Sequence, residues 1–234
     1  MFRKSLKKSN YAEENIFWIT MSDLLLGLMI IFLILFVMAM VGFSQSKIAK
    51  QSAQTEVAEK LAKNFAENNI NIDVNKMSGQ IEISDLELFD LGSYRLSKKG
   101  KAYLDKFFPI YINTIFSNSE IGDNVQNIVI EGHTDSQMFK GLKSEDEQYA
   151  KNLELSSMRA TEIANYVFKT NYNKKYSKKL HKALIVEGKS YTEPVMNNGK
   201  EDYDKSRRVE LEIRMKADTS VIEKMFNGEG LIKK

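Results

Sequence analysis

Residues 24–43, LLLGLMIIFLILFVMAMVGF, carry no charged side chain, and no other feature narrows the fold of this chain as much. Twenty residues rise about 30 Å as an α-helix, which matches the hydrocarbon core of a bilayer. The run exceeds the ~7–15 residues of a signal-peptide core, and no small-residue cleavage pattern follows it. It is apolar on every face, which a domain of this size rarely buries. The spacing predicts a cytoplasmic tail over 1–15, one transmembrane helix over 16–43, a linker helix over 44–69, a folded domain over 70–216 and a tail over 217–234. Arg3, Lys4, Lys7 and Lys8 precede the span and Trp18 suits its headgroup belt. The N-terminus is therefore expected in the cytoplasm and the domain in the periplasm, as in a single-pass protein of a bacterial inner membrane.

Asp23 interrupts this pattern about 7 Å deeper than Trp18 along a helix. A carboxylate there costs several kcal/mol unless it is protonated, paired or hydrated. Two readings stand. Asp23 is either a hydrated N-cap at the interface or an ion-carrying group facing a partner helix, with Gly27 at i+4 leaving room for another backbone.

Composition removes other classes. The chain of 234 residues has no cysteine, two histidines and a net charge of +3. A disulfide framework, a cysteine zinc site and a thiol nucleophile are excluded. The near-neutral balance gives no footprint for nucleic acid, and the expected compartment holds none. Neither HExxH nor a Ser/His/Asp set is present, so the protein is not expected to be an enzyme and no cofactor is implied. The run KTNYNKKYSKKLHK, 169–182, holds six lysines and no acid; it reads as a solvated face, or one that meets anionic wall polymers.

Val57, Leu61 and Phe65 form an apolar stripe in the linker helix, available to a second copy or, more economically, to the domain itself. Ile70, Ile72, Val74, Ile81 and Ile83 alternate around Ser78-Gly79 and predict a hairpin. A helix is expected over 97–116 with Ser97 as N-cap and Pro109 as a kink or break. Strand 127–131, helix 152–170 and strands 183–187 and 208–214 follow. The order predicts an α+β fold, one mixed sheet with a helical layer. Polar interest gathers in three loops: Gly132-His133-Thr134-Asp135, the start of the 152–170 helix, and Ser206-Arg207-Arg208. Asn152, Leu155 and Arg159 share a helix face, from which Arg159 is placed to reach Asp135. An adjacent carboxylate and guanidinium suit a zwitterion; an ordinary loop-shaping salt bridge fits the residue types equally well. His133 beside Asp135 has no further His or Cys nearby, so no metal is expected.

IVIEGHTDS, NLELSSMRA, GKSYTEPV and SRRVELEI, with LFDLGSYRLSKKG before them, resemble the OmpA-like peptidoglycan-binding domain over about residues 75–215. The resemblance implies that Asp135 and Arg159 grip the diaminopimelate of the peptidoglycan stem, with Thr134, Asn152, Leu155 and Arg207 around them. Two departures from the family pattern stand out: an insertion, MFKGLKSEDEQYA, and Ser206 where asparagine is usual. The span WITMSDLLLGLMIIFLILF ahead of such a domain resembles the MotB family of motor stator subunits, and the short linker resembles the MotB-like subunits of Zorya antiphage defence systems. That resemblance implies two copies of the chain inside a ring of a polytopic MotA-like partner. It also implies proton or sodium transfer through Asp23 and anchorage on peptidoglycan. A flagellar-type stator subunit and a passive membrane-to-wall anchor are the competing functions.

Overall fold

The computed structural model describes residues 2–90 and 92–216, with side chains from Ile16 onward apart from Glu120. The expected tail over 217–234 and the side chains of the basic N-terminal segment lie outside the described residues. Two compact units are distinguished, one reaching Ile48 and one spanning Ala49–Ala217.

The first helix, α1, spans Phe2–Glu67. Within it the segment from Ile16 is long and apolar enough to cross a membrane, and Leu24 to Phe36 are exposed throughout. Polar groups early in the span turn inward. Thr20 Oγ1 donates to the carbonyls of Ile16 and Phe17 at 3.0 and 2.9 Å, and Ser22 Oγ to that of Trp18 at 2.8 Å. In hydrocarbon such internal satisfaction is required. The helix passes through position 23 without a break, so Asp23 is not an N-cap. A Cβ placed on Gly27 would meet nothing within 4 Å.

The second unit begins inside α1. Val57, Leu61 and Phe65 are at most 1% exposed, and the Phe65 ring stacks on Phe107 at 4.9 Å. The stripe is thus spent on the domain and offers no face to a second copy. The helix ends in a Schellman turn: Asn69 adopts φ 55°, Ile70 N–H reaches Phe65 O and Asn69 N–H reaches Ala66 O.

Strand β1 (Ile81–Ser84) leads into the single turn α2 (Asp85–Leu88) and then α3 (Lys98–Ser117), capped by Ser97 Oγ accepting from Gly100 N–H at 2.9 Å. Pro109 sits inside α3 without ending it. The short α4 (Ser119–Gly122) precedes β2 (Val125–Gly132), α5 (Glu145–Val167), α6 (Ser177–Ala183) and β3 (Leu184–Gly188). A small hairpin, β4 (Met196–Asn197) with β5 (Lys200–Glu201), and the turn α7 (Tyr203–Ser206) precede β6 (Arg208–Met215). The main sheet has the order β1-β6-β2-β3, with β2 and β3 parallel and the other pairs antiparallel. The expected 70–89 hairpin reduces to one isolated bridge, Val74 with Ile81. The helix expected from 152 begins at Glu145, inside the insertion, where Ser144 Oγ accepts from Glu147 N–H at 3.1 Å.

Alternation sorts the sheet faces. Ile81, Ile83, Ile128, Ile130, Val209, Leu211 and Ile213 join the core shared with α3 and α5, while Glu82, Glu131, Arg208, Glu210, Glu212 and Arg214 take the other face. Leu61→Ala should therefore destabilise residues 49–217 by about 2–5 kcal/mol, read as a lower denaturation midpoint. The loss should not depend on protein concentration; a concentration-dependent loss would place Leu61 in a contact between copies.

Candidate functional site

Two glycines at the ends of parallel strands fix where α5 lies. Gly132 and Gly188 face each other in register. A Cβ on Gly132 would stand 2.2 Å from Ser156 O, and one on Gly188 2.1 Å from Ser157 Oγ. Their absence of side chains lets the middle of α5 rest on the strand ends and brings Arg159 beside the loop that follows β2. That loop is held by main-chain bonds, His133 N–H to Arg208 O and Thr134 N–H to Ser190 O, both 2.9 Å. Ser190 is fully buried; its N–H donates to Ser156 Oγ at 3.1 Å and its hydroxyl to Tyr149 O at 3.2 Å.

All six outer-domain residues named from the sequence meet here. A cavity of about 210 Å³ is lined by Gly92, Thr134, Asp135, Asn152, Leu155, Arg159 and Arg207, together with Gln137, Met138 and Phe139 of the following segment. Asp23 lies in the other unit.

The charge pairing differs from the expected one. Arg159 does not pair with Asp135. Its Nη2 stands 3.0 Å from Asp85 Oδ2, both residues 2% exposed. Its Nε donates to Ser93 O at 2.9 Å and its guanidinium lies 5.2 Å from the Phe89 ring centroid. Asp135 Oδ2 instead accepts from Arg207 Nη1, while Arg207 Nη2 donates to Asp204. Burial pushes the Asp85 carboxyl above its usual range, opposed by the charges of Arg159 and Arg207. Burial also lowers the Arg159 pKa, opposed by Asp85. Each charge persists because the other is there. Arg159 Nη1 and Thr134 Oγ1 are buried with no hydrogen-bond partner among the described residues. Buried polar groups rarely stay unpaired, and these two border the cavity.

Sequence reasoning missed Asp85. Its signal was an acid directly after the alternating run Ile81-Glu82-Ile83-Ser84, at the end of a strand that pairs beside Arg208. Ser206 is fully buried and its Oγ accepts from Val195 N–H at 3.0 Å, so it fastens the loop ahead of Arg207.

His133 has acidic neighbours that its sequence surroundings only half revealed. Its Nε2 lies 3.7 Å from both Glu131 Oε2 and Glu210 Oε1, an arrangement with the donor types of a metal site. The carboxylates are already engaged: Glu210 with Arg208 and Gln80, Glu131 with Arg214 at 3.1 Å and Lys189 at 3.5 Å. A cation would have to displace these positive groups, so the cluster reads as an ion-pair network. The neighbouring His133 imidazole holds the Glu131 carboxyl below its usual range, against the effect of burial.

Comparison with known proteins places the outer domain in a family. Residues 88–208, more than half of the chain, match the OmpA family, and the chain belongs to it. The matched span contains all six cavity residues read from the sequence; Asp85 lies just ahead of it. The chain is also similar to the Zorya protein ZorB of Escherichia coli (Crooks strain), 29% identical over 93% of this chain and 95% of that protein. A Zorya protein ZorB from a second Escherichia coli strain is 28% identical over 89% of this chain and 83% of that protein. Among solved structures, the periplasmic domain of Helicobacter pylori MotB is 17% identical, covering 68% of this chain and 98% of that one, with a TM-score of 0.47.

Removing Asp85 tests the pairing. Asp85→Ala strands the Arg159 charge and should cost about 3–5 kcal/mol of domain stability in a urea titration. Asp135→Ala, which faces the cavity and leaves Arg207 its exposed partner Asp204, should cost less than half as much.

Proposed function

We propose that the protein is the wall-anchored subunit of an ion-driven membrane motor of the MotA/MotB type. The outer domain holds peptidoglycan, the span crosses the inner membrane with its N-terminus in the cytoplasm, and Asp23 carries the translocated proton or sodium ion. Two copies sit in a ring of a polytopic MotA-like partner, and the complex serves antiphage defence, in line with the similarity to the ZorB proteins along most of the chain. The observation that carries the wall-binding half is the paired arrangement Asp85–Arg159 and Asp135–Arg207 around one cavity. Two anions and two cations that neutralise each other offer an ammonium site at Asp135 and a carboxylate site at Arg159 Nη1, the complement of a zwitterionic amino acid such as diaminopimelate. Thr134, Asn152, Leu155 and Arg207 complete the grip.

The motor half rests on Asp23. A passive anchor has no need of an acid in its span, and an acid there needs neighbours. Thr20 and Ser22 satisfy themselves on their own helix, whereas Asp23 has no such bond, and Gly27 one turn on leaves its face open.

Two experiments separate the halves. Residues 49–217 carry the hydrophobic core of the domain and should sediment with purified peptidoglycan. Asp135→Asn, which keeps shape but removes the charge that meets the ammonium, should lower the bound fraction at least about ten-fold. Undiminished sedimentation of that variant would remove the wall-binding assignment. In cells, Asp23→Asn should assemble at normal levels yet lose protection in a phage-plating assay, with Asp23→Glu retaining part of it. Full protection by the Asn variant would reduce the protein to an anchor.

A further inference from the structure

The segment that separates the two site motifs forms a wall of the cavity. Gln137, Met138 and Phe139 line it beside Asp135 and Leu155. Its course is fixed at several points. Ser136 N–H donates to Glu201 Oε1 at 3.2 Å and its hydroxyl to Oε2, which ties the segment to β5. Asp135 Oδ1 accepts from Gln137 N–H at 3.1 Å. Gln148, on the first turn of α5, is 2% exposed and brackets Met138 from both sides: its Oε1 accepts from Phe139 N–H at 2.9 Å and its Nε2 donates to Gln137 O. Gln148 O in turn accepts from Asn152 Nδ2 at 3.1 Å, so the bracket and a cavity residue are one bonded unit.

A buried amide with both ends engaged fixes a loop, because releasing it would leave polar groups dry and unpaired. What it presents is apolar. Met138 is 65% exposed at the cavity, on a loop held in place beneath it. A flexible thioether and an aromatic ring set on a rigid support make an adaptable apolar contact surface whose backbone needs no ordering on binding.

The charged pairs can hold only the ammonium and carboxylate of one residue. An apolar wall beside them adds affinity in proportion to the apolar surface a ligand carries beyond those two groups, which a peptide extends. We infer that residues 137–139, braced by Gln148, form a second subsite. It takes the small aliphatic residue adjoining the zwitterionic one in a wall peptide, so the site prefers a peptide over the free amino acid. This inference rests on the wall-binding reading above and deepens it.

The test is calorimetric titration of the detergent-solubilised full chain with two probes, free meso-diaminopimelate and the stem tetrapeptide that contains it followed by alanine. The tetrapeptide should bind about ten-fold more tightly, the gain expected from burying a few apolar carbons. Met138→Ser and Phe139→Ser, both at side chains outside the domain core, should each remove most of that gain and leave the Kd of the free amino acid unchanged. Gln148→Leu, which releases the brace, should also remove most of that gain. Equal binding of both probes by the unaltered protein, or variants that weaken both probes equally, overturns the subsite and leaves the charged pairs in place. Unaltered protein that binds neither probe, or an Asp135→Asn variant that binds both as well as the unaltered protein does, overturns the wall-binding reading itself.

Discussion

A guanidinium with almost no exposure sets the organisation of the outer domain. Arg159 sits on the middle of α5 and is surrounded by the Asp85 carboxylate, the Ser93 carbonyl and the face of Phe89. An unpaired charge at that depth would cost several kcal/mol, so three separate stretches of chain are obliged to converge on it. The turn after β1 must deliver Asp85. The loop before α3 must deliver Ser93. α5 must lie hard against the ends of β2 and β3, which Gly132 and Gly188 allow and which any side chain at either position would prevent.

Charge is used twice in this domain, with different results. On the outer face of the sheet, Glu131, Glu210, Arg208, Arg214 and Lys189 close on one another around His133, each carboxylate answered by a cation. That network braces the strand end from which the site loop leaves. In the cavity the pairing is less complete. Among the described residues, Arg159 Nη1 and the Thr134 hydroxyl have no partner. Arg207 divides itself between Asp135 and the exposed Asp204, so it keeps a second anion if Asp135 is withdrawn.

The membrane segment obeys a different solvent. Its hydroxyls fold back on the helix backbone, as hydrocarbon requires, and its apolar side chains are exposed on all faces. Residues that would signal misfolding in water are there the expected surface. Asp23 stands against this background, and its meaning depends on the neighbours it meets.

Much of this was legible along the chain because it follows from local rules. An uncharged stretch of twenty residues cannot be reconciled with a water-exposed fold, and alternation along 208–214 fixes which side chains of β6 face inward. The Ser97 cap and the turn at Asn69 that ends α1 are likewise decided by a few consecutive residues. The site loops were also legible, since Asp135, Arg159 and Arg207 sit in motifs whose order along the chain matches a known family. What the sequence could not determine was which acid serves which base. Asp85 and Arg159 lie 74 positions apart, and only the β1–β6 pairing together with the glycine-permitted approach of α5 brings them to 3.0 Å. The same holds for the insertion. As a string of residues it merely lengthens a connection; as a folded segment it starts α5 two turns early and sets Met138 and Phe139 beside the charged cavity, because a buried glutamine has to satisfy its amide and finds its partners there.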